Sequence, residues 1–110
     1  MERAVTTQAD LWTEADLDEH VRQLAALYGL AAYHTRDSRG SAAGFPDWVI
    51  AGPGGVLFRE NKRQDGTSTW PQLAWARVLL SAGADYETWR PADAIEGRVK
   101  TQLQRLRSTP

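Results

Sequence analysis

The stretch GFPDWVIAGPGGVLFRENK, residues 44–62, decides the reading of this chain. Two apolar-rich runs, Asp47–Ala51 and Val56–Lys62, flank Gly52-Pro53-Gly54-Gly55, a turn sequence that predicts a β-hairpin. If Gly52 pairs with Gly55, counting back from the turn sets Asp47 directly opposite Glu60. Directly opposed residues on one face lie about 5 Å apart at Cβ. Two carboxylates held so close repel each other unless a cation sits between them, and a hard, oxygen-seeking divalent ion such as magnesium suits that position. Lys62 stands two residues beyond Glu60 and therefore points to the same face. A bulge would shift this register by one.

Outward from the hairpin, the chain reads as one α/β domain in the order α-β-β-β-α-β-α, spanning residues 1–110. Residues 1–12 read as a loose leader. Thr13 precedes Glu14-Ala15-Asp16 as an N-cap with acids in the first turn, where the helix dipole favours them. Leu17, Val21, Leu24 and Tyr28 then recur at helical spacing, giving a helix over about 14–28 closed by Gly29. Leu30–Thr35 is a short apolar strand, and Arg36–Gly44 a loop. Behind the hairpin, Thr69 and Gln72 have capping-box spacing, so a helix is expected from about Trp70 to Ala82, with Pro71 in its first turn and Gly83 at its end. Tyr86–Trp89 reads as a fourth strand. Pro91 opens a last helix with Ile95, Val99, Leu103 and Leu106 on one stripe, weakened locally by Gly97. That stripe has two readings: packing on the chain's own sheet, or a two-fold interface with Arg98, Lys100, Arg105 and Arg107 turned to phosphates.

The facing acids and the nearby amine suit phosphodiester hydrolysis. Asp47 and Glu60 would hold the metal, with the backbone carbonyl of Asn61 as a further ligand. Lys62 would orient or deprotonate the attacking water, or stabilise the transition state. Gln72, at the head of the next helix, is placed to touch the water or the Lys62 amine. Taken alone, an acid followed at this distance by Glu-x-Lys also describes many exposed strands.

The succession Tyr33-His34-Thr35-Arg36-Asp37-Ser38-Arg39, Gly44-Phe45-Pro46-Asp47, Phe58-Arg59-Glu60-Asn61-Lys62, Gln72, Trp75 and Trp89-Arg90-Pro91 resembles the VRR-NUC family of the PD-(D/E)XK nuclease superfamily, over about residues 11–95. The resemblance implies a restriction-endonuclease-like α-β-β-β-α-β core with a mixed sheet, magnesium or manganese dependence, and cleavage of DNA. It also implies action on branched DNA or Holliday junctions and, for small stand-alone phage and bacterial members, a homodimer. Asp47, Glu60, Lys62 and Gln72 stand at its motif positions. Glu14, with Glu19 as the alternative, stands where the family has an acid on its first helix. Trp70-Pro71 before Gln72 is bulkier than usual. A non-catalytic DNA-binding module on the same fold and a nicking or restriction-like nuclease on ordinary duplex are the alternative functions.

Composition narrows the field further. The chain has 110 residues, 42% hydrophobic and 25% charged, with a net charge of -1 and no cysteine. Disulfide scaffolds and thiolate zinc sites are therefore excluded, and coating nucleic acid by bulk charge is disfavoured. No apolar run reaches the roughly 20 residues of a membrane span. Met1–Asp10 has no apolar core of a secretory signal, so a cytoplasmic protein, in a bacterium or a phage-infected host, is expected. Basic residues gather in the middle (Arg36, Arg39, Arg59, Lys62, Arg63) and near the C-terminus. His34, Ser38, Arg39, Ser41 and Arg63 are candidate DNA contacts, since guanidinium and hydroxyl groups dominate contacts to the phosphate backbone; a capped surface loop is the competing reading of His34–Ser41. His34, Asp37 and Ser38 lie too close together to form a hydrolase triad. Of five tryptophans, Trp75 and Trp89 are expected in the core. Trp12, Trp48 and Trp70 are candidates for exposure as stacking or dimer surfaces, against helix packing. His20, on an acidic helix, is expected to be solvated.

Overall fold

A computed structural model describes residues 8–35 and 42–108. Its elements are α1 (Gln8–Leu11), α2 (Glu14–Leu27), β1 (Ala31–His34), β2 (Trp48–Gly52), β3 (Gly55–Asn61), α3 (Trp70–Ser81), β4 (Asp85–Trp89), α4 (Pro91–Ile95) and α5 (Arg98–Arg105). The four strands form one mixed sheet in the order β1-β2-β3-β4. The two β1–β2–β3 pairings are antiparallel, and α3 carries the chain across to β4, which lies parallel to β3. Two antiparallel strands can share a tight turn, whereas a parallel pair needs such a crossover.

The hairpin register is the expected one, Gly52 opposite Gly55 and Trp48 opposite Arg59. Side-chain alternation then sorts β3 into two sets. Leu57, Arg59 and Asn61 face α2 and α5; Phe58, Glu60 and Lys62 face α3. On the first face Leu17, Val21, Trp48, Ile50, Leu57, Trp89, Val99, Leu103 and Leu106 form the core. The expected capping box of Thr69 with Gln72 is present, and the expected N-cap at Thr13 forms a capping box of its own with Asp16.

Several expectations are corrected. The leader contains a short helix, α1, and Trp12 packs against the core cluster. The last helix is two helices: Gly97 adopts φ +86°, a left-handed conformation that glycine reaches without a Cβ clash, and the helical run breaks there. The break leaves Ile95 exposed while Val99, Leu103 and Leu106 are buried. The stripe is therefore core, and its reading as a two-fold interface fails. Trp48 is buried, because its ring covers the sheet under α2 and its Nε1 donates to Asp18 Oδ1 at 3.0 Å. His20 is half-buried: Trp12 meets its ring edge-on and its Nε2 is buried without a partner among the described residues, and this desolvation pushes its pKa down.

Arg59 is another departure from a solvated surface charge. It is fully buried, with its guanidinium 5.1 Å from the Trp89 ring centre. Nε and Nη2 donate to Gln102 Oε1, Nη1 to the carbonyls of Phe58 and Asp85, and Nη2 to Asp85 Oδ1. A buried cation is tolerable only when paired and hydrogen-bonded in this way. Among the described residues no helix is long and apolar enough to cross a membrane.

Candidate active site

The α3 side of the sheet carries the site, at the end where β3 and β4 finish. Asp47 lies one pair beyond the last β2–β3 ladder pair. Its position is fixed from both sides: its carbonyl accepts from Thr35 N–H at 2.8 Å, and Thr35 Oγ1 donates to the Pro46 carbonyl at 2.7 Å. Its carboxylate Oδ2 accepts from Asn61 N–H at 2.8 Å. Three residues before it, Gly44 has φ +81° and lies against the first turn of α3, where a Cβ would overlap the Pro71 backbone. The loop bearing Asp47 and the helix entry bearing Gln72 are thus locked together through a residue with no side chain.

Glu60 and Lys62 are 3% and 7% exposed. Gln72 joins them. Its Nε2 donates to Glu60 Oε2 at 2.8 Å, and its Oε1 accepts from Lys62 Nζ at 2.7 Å. Oε1 also accepts from Thr69 N–H at 2.9 Å, the reciprocal half of the capping box. Two donors converging on Oε1 fix the amide's orientation, so Nε2 has to face the carboxylate. Lys62 Nζ lies 3.9 Å from Glu60 Oε2.

The electrostatics follow from burial. Glu60 is pushed up to about 8, first by removal from water, then by Asp47 across the strand pair, with Lys62 pulling the other way. Burial also raises Asp47, opposed by the Asn61 N–H and assisted by repulsion from Asp18. Burial with Asp47 beside it pushes Glu60 towards its protonated form, because a buried carboxyl pair is costly when both groups carry charge. A divalent cation would relieve the same repulsion, and in that respect the residues fit one. Among the described residues no three His, Cys, Asp or Glu side chains gather into a metal-binding group. A cation here would take its remaining ligands from backbone oxygen, with Asn61 as the adjacent donor, and from water, as magnesium commonly does.

The other expected residues fall at different distances from this centre. Glu14, the first residue of α2, adds to the repulsion felt by Asp47 and Glu60. Glu19 instead pairs with Gln23 and Arg22 on the exposed side of α2. His34 is on the opposite sheet face, stacked 4.4 Å from the Trp48 ring with Nε2 3.4 Å from Asp18 Oδ2. Arg63 is exposed immediately beyond Lys62. Ser38, Arg39 and Ser41 lie outside the described residues. Sequence reasoning missed Asp18. Its Oδ1 accepts from both Trp48 Nε1 and Asn61 Nδ2, and it ties α2 to the strand ends beside Asp47. The available signal was its position one helical turn after Glu14. Compared with known proteins, the chain matches no family model, no curated protein and no solved structure.

Proposed function

We propose that the chain is a metal-dependent nuclease of the PD-(D/E)XK type, of the VRR-NUC kind, hydrolysing phosphodiester bonds in DNA. The observation that carries this reading is the linked set Asp47, Glu60, Lys62 and Gln72: two opposed carboxyls on one sheet face, and an amine and an acid joined by one oriented amide. The mixed sheet, with the α3 crossover to a parallel fourth strand, agrees with that superfamily's core. Asp47, Glu60 and the Asn61 carbonyl would hold magnesium or manganese, and Glu14 contributes negative potential. When bound, the ion supplies Lewis-acid polarisation of the phosphate and a more acidic water. Lys62 Nζ is set beside the carboxyl pair, where an ammonium stabilises negative charge developing on a phosphoryl oxygen or orients the attacking water. Gln72 keeps that amine aimed. Arg63, and His34 braced by Asp18, are described candidates for phosphate contacts. Branched DNA or a four-way junction is the proposed substrate.

The test incubates the protein with magnesium and linear, flapped and four-way DNA. Expected is cleavage of branched substrates, abolished by Asp47→Asn and reduced about a hundredfold or more by Lys62→Ala. Magnesium should also raise the melting temperature of the wild type but not of Asp47→Asn. Binding without cleavage in every metal would replace this reading with a non-catalytic DNA-binding module, and preferential cutting of linear duplex with a restriction-like nuclease.

A further inference from the structure

β4 ends at Trp89, which stands opposite Asn61 in the parallel ladder and is fully buried in the core. Lys62 N–H donates to the Trp89 carbonyl at 3.0 Å, extending the ladder past its last pair and setting Arg90 next to Lys62. Alternation places both on the α3 side of the sheet. The Arg90 backbone is fixed where β4 turns into α4. Pro91 restricts the residue before it to extended conformations, and Arg90 has φ -124° and ψ 164°. Its N–H donates to Asp93 Oδ2 at 2.7 Å. Its guanidinium is directed at backbone oxygen: Nη1 donates to the carbonyls of Arg63 at 2.7 Å, Gly66 at 2.9 Å and Gln64 at 3.3 Å.

Those three carbonyls belong to one tight turn, closed by Gly66 N–H donating to the Arg63 carbonyl at 3.0 Å. Carbonyl oxygens gathered on one side of a turn repel one another, and a cationic donor set among them offsets that repulsion. The turn is tied to α4 a second time, with Gln64 Oε1 accepting from Ala92 N–H at 3.0 Å. Its inner side lies on Lys62: a Cβ placed on Gly66 would stand 3.7 Å from Lys62 Cδ, in ordinary van der Waals contact. Lys62 is therefore held at two points. Gln72 Oε1 accepts from the amine, and the 63–66 turn lies along the stem. A flexible four-carbon stem aims its amine only when both are in place.

We infer that Arg90 is a positioning residue for Lys62: it fixes the 63–66 turn over the Lys62 stem and so keeps the amine on Gln72 and beside Glu60. That Lys62 takes part in catalysis rests on the proposed function, whereas the hold of Arg90 on the turn rests on the hydrogen bonds alone. The turn opens the segment that runs from Lys62 to Gln72, so loosening it acts on both ends of the linked set. Arginine suits this place better than lysine, because its planar fork is pre-organised and more weakly hydrated than an ammonium.

Lys62 and Lys100 are the two lysines of the chain, so acetylation by a water-soluble acetyl ester, read by peptide mass, reports each of them separately. In the wild type, buried Lys62 should react far more slowly than exposed Lys100. Arg90→Ala should raise the ratio of the Lys62 rate to the Lys100 rate roughly tenfold or more, by letting the turn open locally. Arg90→Lys keeps the charge without the planar fork and should fall between the two; it stands in for the alanine variant if that one does not fold. Leu103→Ala is the control, since it weakens the opposite face and should leave the ratio unchanged. Lys62 as slow in both Arg90 variants as in the wild type overturns the inference, and so does an equal rise in Leu103→Ala. On a DNA substrate that the wild type cuts, Arg90→Ala should lower kcat about tenfold or more with little change in KM. An unchanged kcat with an exposed Lys62 also overturns it. If the wild type cuts no DNA, the proposed function fails, and the labelling ratio alone decides whether Arg90 positions Lys62.

Discussion

At Glu60, burial and a neighbouring carboxyl act in the same direction, and the result is a measurable pH dependence. In the unfolded chain the group ionises near 4.5; in the fold it is pushed up to about 8. Between those values the folded state holds a proton that the unfolded state has lost. Stability of the metal-free protein therefore falls as pH rises through that window. Melting temperatures without metal should decline from about pH 5 to about pH 8, and Glu60→Gln should flatten the decline. An equally steep fall in that variant would assign the titration elsewhere. Asp47, Glu60 and Lys62 were legible because hairpin register is local: a tight turn fixes which residues oppose, and alternation fixes which share a face. Arg59 and Asp18 were not. Gln102, the acceptor of Arg59, lies 43 residues away, and Trp48 and Asn61 lie 30 and 43 residues from Asp18. Nothing near either residue in sequence announces burial.

At the scale of elements, the entry to α3 is the part that positions the site. Thr69 and Gln72 were readable as a capping box, and the same Gln72 side chain turns out to serve the cap and the site at once. The contact of Gly44 with Pro71 was not readable, since loop-to-helix packing leaves no periodic trace. Gly44→Ala should cost about 2 kcal/mol or more, through left-handed strain plus overlap with the α3 backbone. It should also blunt the stabilisation expected from magnesium under the proposed function, by shifting Gln72 away from Glu60 and Lys62. Gly97→Ala is the control, because its φ is equally left-handed but its Cβ would meet nothing within 4 Å. It should lower stability by about 1–2 kcal/mol and leave the metal response unchanged. Equal loss of metal response in both variants would mean that general destabilisation, and not the Gly44 contact, sets the site. The continuous last helix expected from Pro91 failed for the same local reason: glycine tolerates a helix interior at moderate cost, so its presence alone does not fix a break.

Across the whole molecule, the buried core and the candidate site occupy opposite faces of the sheet. The sealed face holds the buried cluster from Leu17 to Leu106; the other carries the carboxyl pair under a helix with no buried residue. Core substitutions and α3 substitutions should therefore separate in native-state hydrogen exchange. Leu103→Ala, fully buried between α5 and the sheet, should lower global stability by about 2–5 kcal/mol. The amides of β2 and β3 should lose protection by that full amount, because they open only when the core opens. Amides of α3 should exchange through a smaller opening, since few apolar contacts resist it. That opening does not expose the core, so its free energy should be the same in Leu103→Ala as in the wild type until global unfolding becomes the easier route. If α3 amides instead track β3 in both proteins, the helix belongs to the cooperative core and the two-face division is wrong.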